Sequence, residues 1–122
     1  MTLECSYEDL ASRRIAWLLW GLPAVAIALG AVLDSGARTS VWTLAFLVAG
    51  LSCVANAGRC GRLHCYLTGP LYLLLAAATL LTGFEVVTPR WGWIPSIALA
   101  GTVLAFVPEW FRGKYRMRAA RQ

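Results

Sequence analysis

Charged side chains fall at nearly even intervals along this chain and leave four long stretches without one: residues 15–33, 39–58, 63–84 and 91–108. No other feature narrows the fold so far. The stretches hold 19, 20, 22 and 18 residues, the third including the only histidine. A helix rises about 1.5 Å per residue, so roughly 20 residues cross the hydrocarbon core of a bilayer. Four such segments predict four transmembrane helices, over approximately 15–33, 39–58, 66–84 and 91–110, in one integral membrane domain spanning 1–122 with a basic tail at 111–122. None of them alternates with the period of two that a barrel strand needs. Backbone groups in lipid must also bond within their own segment, which makes helix the default.

Composition supports this placement. Hydrophobic residues make up 59% of the chain and charged residues only 14%, against about 25% charged in soluble domains. A soluble domain of this length buries only about two-thirds of its chain surface and could not hide so much apolar area. Disorder, a disulfide-dense secreted module and a nucleic-acid-binding domain are excluded on the same grounds, despite a net charge of +5.

The basic residues set the orientation. Arg13 and Arg14 precede the first stretch, Arg59 and Arg62 lie in the middle connection, and Arg112, Lys114, Arg116, Arg118 and Arg121 end the chain. With four crossings these nine share one side, and only Arg38 and Arg90 lie opposite. The positive-inside rule therefore expects both termini and the middle loop in the cytoplasm, with the protein multi-pass in the cytoplasmic (inner) membrane. The outer connections, 34–38 and 85–90, are short, which predicts antiparallel neighbours in an up-down, all-α four-helix bundle. Trp17, Trp20, Trp42, Tyr66, Trp91, Trp93 and Trp110 lie near the stretch ends and read as an interfacial belt. Ala24 with Ala28, and Gly101 with Ala105, offer small-residue faces for helix packing, and such faces also allow homo-oligomers. The Ser12-Arg13-Arg14-Ile15 run has the look of a twin-arginine signal, but the apolar stretches downstream favour an uncleaved helix.

Reactive groups concentrate in one place. Of four cysteines (Cys5, Cys53, Cys60 and Cys65), three fall within 13 residues together with His64, across the end of the second stretch and the start of the third. If the second helix runs on, Cys53, Asn56, Cys60 and His64 share a face at spacings of three, four and four. If the chain instead turns at Gly61, Cys60 comes back towards His64 and Cys65. Arg59 and Arg62 flank Cys60, and positive charge favours thiolate, the metal-binding form. A reducing cytoplasm disfavours a permanent Cys60–Cys65 disulfide. Thiolate with imidazole suits soft cations such as Hg(II), Cu(I) or Zn(II). Cys53, inside the lipid boundary, is placed to receive an ion from across the bilayer. Cys60, Cys65, His64 and Cys53 are thus the expected metal-handling residues.

The element Cys60-Gly61-x-x-x-Cys65, with the chain's size and four expected helices, resembles the small inner-membrane mercuric-ion transport proteins of bacterial mercury-resistance systems. The resemblance implies roles for Cys60 and Cys65 in passing Hg(II) inward by thiol exchange to a cytoplasmic thiol acceptor protein. The first helix lacks the cysteine pair typical of that family, and Cys53 is the substitute this sequence offers.

No phosphate-cradling glycine loop, Ser–His–acid set or His-Glu-x-x-His motif is present, and Glu109 is expected to be solvated, so neither an enzyme nor a proton relay is expected. No resident cofactor is implied beyond the handled ion. The bilayer is the expected partner. The competing expectation is a non-catalytic membrane subunit or scaffold whose basic loop and tail bind lipid or a protein; a third is a redox relay through Cys60 and Cys65.

Overall fold

The structure, a computed structural model, describes residues 14–86 and 90–112, apart from the side chain of Cys60. Every regular element among them is helical. A π-helical turn (Trp17–Gly21) leads into α1 (Leu22–Gly30), followed by α2 (Ser35–Cys60), α3 (Leu63–Gly83) and α4 (Trp93–Arg112). The last three are long and apolar enough to cross a membrane, and the first is shorter.

The π turn has a local cause. Pro23 carries no N–H for the preceding turn and its ring crowds that turn's carbonyl; a widened turn just upstream accommodates both. Regular helix then stops at Gly30, short of the expected 33, and the chain continues through i→i+3 bonds from Ala31, Val32 and Leu33. Arg38, reaching back from the next helix, donates to the carbonyls of Gly30, Ala31 and Leu33 at 3.2, 2.9 and 2.7 Å. It supplies the partners that the end of a helix lacks.

α2 begins earlier than the apolar stretch because Asp34 caps it, accepting from the Ala37 amide at 3.2 Å. It ends where Gly61 takes a left-handed conformation (φ 66°, ψ 32°) and donates its N–H to Ala57 O at 2.8 Å. Because α3 starts at Leu63 rather than 66, Pro70 lies inside the helix and not in its first turn.

α2 and α3 form the heart of the bundle, with α1 against α2 and α4 against α3. Gly50 and Gly69 let the central pair approach closely: a Cβ on Gly69 would lie 2.9 Å from Val54 Cγ2, and one on Gly50 3.1 Å from the Leu73 backbone nitrogen. The Gly101–Ala105 face packs as expected, with Leu71 over Gly101 and Ala105 buried, whereas Ala24 and Ala28 are exposed.

One end of the core is apolar and aromatic: Trp42, Phe46, Leu75, Ala76 and Ile94. Here the belt expectation needs correction. Trp17, Trp93 and Trp110 are exposed, but Trp42 is 2% exposed, donates from Nε1 to Ile27 O at 2.9 Å and meets Trp91 edge-on. The other end gathers Cys53, Ala57 and Cys65.

Candidate functional site

The left-handed turn at Gly61 decides between the two geometries the sequence left open: the chain turns, and no single helix carries Cys53 through to His64. Cys53 lies seven residues before the end of α2, while His64 and Cys65 sit in the first turn of α3. The hairpin brings Cys53 and Cys65 into one buried cluster, and both are free thiols.

Polar groups surround the two sulfurs. Trp20 Nε1 donates to Cys53 Sγ at 3.1 Å, and the Thr68 hydroxyl lies 3.3 Å from the same sulfur. Asn56 Nδ2 donates to Cys65 Sγ at 3.6 Å, and the Cys65 thiol donates in turn towards His64 Nε2 at 3.4 Å. A thiol needs few partners, whereas a thiolate gains from each N–H or O–H aimed at it. The pair is therefore equipped to carry negative charge.

His64 has a second partner that the sequence reading missed. Glu109, expected in solvent, is only 9% exposed. Its Oε1 lies 2.7 Å from His64 Nδ1 and 3.5 Å from Arg62 Nε, and it accepts the His64 backbone N–H at 3.2 Å. A carboxylate only accepts, so Nδ1 carries the hydrogen and Nε2 faces the Cys65 sulfur. The same carboxylate takes up a free amide at the N-terminus of α3, where no local side chain caps the helix, and meets the positive end of its dipole. Phe106 stacks on the imidazole at 4.3 Å between centroids. Glu109 was legible in principle: Ile94, Ala98, Thr102, Ala105 and Glu109 follow helical three–four spacing along one face of α4.

Of the expected site residues, Cys53 and Cys65 meet and His64 touches Cys65. The Cys60 side chain, Cys5 and the tail 113–122 lie outside the described residues. Among the described residues, no group of three or more His, Cys, Asp or Glu is arranged to hold a metal ion. Among the described residues, the cluster is two sulfurs with an imidazole beside them. Trp20 and Thr68, which sequence reasoning did not single out, supply donors from outside the motif.

A crevice of about 550 Å³ reaches this site, bounded by α1 and α4 and floored by α2 and α3. Cys53, His64 and Thr68 are on its wall.

Compared with protein-family models, curated proteins and solved structures, the chain matches none. The resemblance to mercuric-ion transport proteins rests on the chain's size, its four expected helices and the Cys60-Gly61-x-x-x-Cys65 element.

Proposed function

We propose that this chain crosses the cytoplasmic membrane four times, with both termini and the Arg59–Arg62 loop in the cytoplasm, and that it binds or transfers soft metal ions through its thiols. The distribution of basic residues supports the topology. α1 is the short span, and local bilayer thinning accommodates the mismatch.

One observation carries the metal reading: two free thiols from adjacent helices lie in one buried cluster inside the bundle, with indole and amide hydrogens directed at their sulfurs. Two thiolates suffice for an ion that favours linear coordination, which points to Hg(II) or Cu(I). Zn(II) in a structural site calls for four ligands. The cargo first binds Cys53 and Cys65. Cys60, seven residues along α2 from Cys53 and so roughly 10 Å nearer the helix end, then accepts it towards a cytoplasmic thiol protein. At each transfer one sulfur–metal bond forms as another breaks.

The test is titration of the purified full chain in detergent with Hg(II) or Cu(I). Cys53→Ser together with Cys65→Ser should remove one tight equivalent while leaving the helical content intact. Undiminished binding would sink the reading and leave the scaffold alternative, which needs no thiol.

A further inference from the structure

The crevice has features that a hydrated or thiol-bound ion does not require. Its wall is mainly apolar and aromatic, with Trp20, Tyr72 and Phe106 around the space left by the small Ala49 and Ala98. Ala24 and Leu99 on its lining are exposed on the lipid-facing surface. A volume of about 550 Å³ lies within the range of small-molecule sites, which are mostly apolar with a few placed polar groups. Those polar groups cluster at the thiol end: Arg62, His64, Thr68 and the hydrogen-bonded Tyr72–Thr102 hydroxyls.

The two thiols differ in their place at the crevice. Cys53 is on its wall, while Cys65, buried in the same cluster, is not part of the lining. An occupant therefore meets one sulfur, with a second thiol already in place to resolve whatever forms. In the topology proposed above, the exposed Ala24 and Leu99 open the crevice to lipid. Two adjacent thiols can give up two electrons and two protons together, and the lipid-soluble reagents that accept both are quinones.

We propose that the crevice between α1 and α4 admits a membrane quinone, which oxidises Cys53 and Cys65 to a disulfide and leaves as the hydroquinone. Two S–H bonds break and one S–S bond forms. The two electrons and two protons go to the quinone, one proton to each ring oxygen. The aromatic wall receives the ring beside Cys53. The Trp20 N–H favours the thiolate that begins thiol–disulfide chemistry. The product ties α2 to α3 and withdraws both sulfurs from any soft ion.

The experiment uses the full chain carrying Cys5→Ser and Cys60→Ser, purified reduced in detergent without oxygen, with decylubiquinone as probe. Its ring is fully substituted, which disfavours permanent arylation of the thiols. One quinone should be reduced per chain, with both thiols lost and a 53–65 disulfide found by peptide mass. Ala24→Phe, a substitution at an exposed position on the crevice lining, should slow the reaction by about tenfold by displacing the ring, while oxidation by the much smaller hydrogen peroxide keeps its rate. Quinone loss no faster than in a Cys53→Ser, Cys65→Ser control would overturn the proposal, and so would an Ala24→Phe variant as fast as its parent. Hg(II) titration of the same reduced sample separates the two readings. Metal binding without quinone reduction removes only the quinone chemistry; quinone reduction without metal binding removes only the metal function.

Discussion

At one end of the bundle Trp42, Phe46, Leu75, Ala76 and Ile94 interlock through apolar surface, and the Trp42 indole and the Thr79 and Thr82 hydroxyls bond only to backbone carbonyls. At the other end Cys53, Asn56, His64, Cys65, Thr68 and Glu109 are buried, and nearly every contact among them is a hydrogen bond. Both ends use the same α2–α3 pair. Dispersion contacts have little direction, so the first end answers to lost volume. A hydrogen-bonded cluster is directional, and removing one member strands another in a low-dielectric interior. The first end holds the helices together; the second keeps reactive groups in fixed relation inside them.

The largest expected effect breaks the first end. Trp42→Ala removes the centre of the aromatic core and opens a cavity against Phe46 and Trp91. It should destabilise the protein by about 3–5 kcal/mol in an SDS-unfolding titration, and a loss below about 1 kcal/mol would mean that this end does not hold the bundle.

Glu109→Ala tests the second end, with a smaller cost. It strands the His64 ring N–H and frees an amide at the start of α3, an expected loss of about 2–3 kcal/mol. Glu109→Gln keeps an acceptor oxygen and should recover about half of that loss. Equal losses for the two substitutions would show that charge, not the acceptor geometry, carries the contact.

Much of this contrast could be read from the sequence. Residues 42, 46, 49, 53, 56 and 57 mark the inner face of α2 by helical spacing, and the reactive segment around Gly61 stood out by composition alone. What could not be read is non-local. Glu109 answers an amide 45 residues away, and no local motif announces a cap supplied by another helix. A tryptophan near a stretch end fits an interfacial belt and a core equally well, so Trp42 was misplaced until its Ile27 partner was known. The end of α1 shifted because Arg38, in the following helix, satisfies its last carbonyls. Cys65 pairs with Cys53 because of the left-handed turn at Gly61, which a lone glycine permits without requiring.

The finest test sets two indoles against each other. Trp42 Nε1 donates to a backbone carbonyl at 2.9 Å and Trp20 Nε1 to a thiol at 3.1 Å. Phenylalanine at either position keeps an aromatic ring and deletes the donor. Trp42→Phe strands a carbonyl that its own helix cannot serve and should cost about 1 kcal/mol, leaving thiol chemistry unchanged. Trp20→Phe deprives only a weak sulfur acceptor and should cost less than about 0.5 kcal/mol. Its effect belongs to reactivity: with one fewer hydrogen stabilising the thiolate, alkylation at Cys53 by a membrane-permeant maleimide should slow by about threefold. If Trp20→Phe instead cost stability and left alkylation untouched, Trp20 would act as Trp42 does, as a packing group, and the division between a structural and a reactive end would fail at the residue where it is most finely drawn.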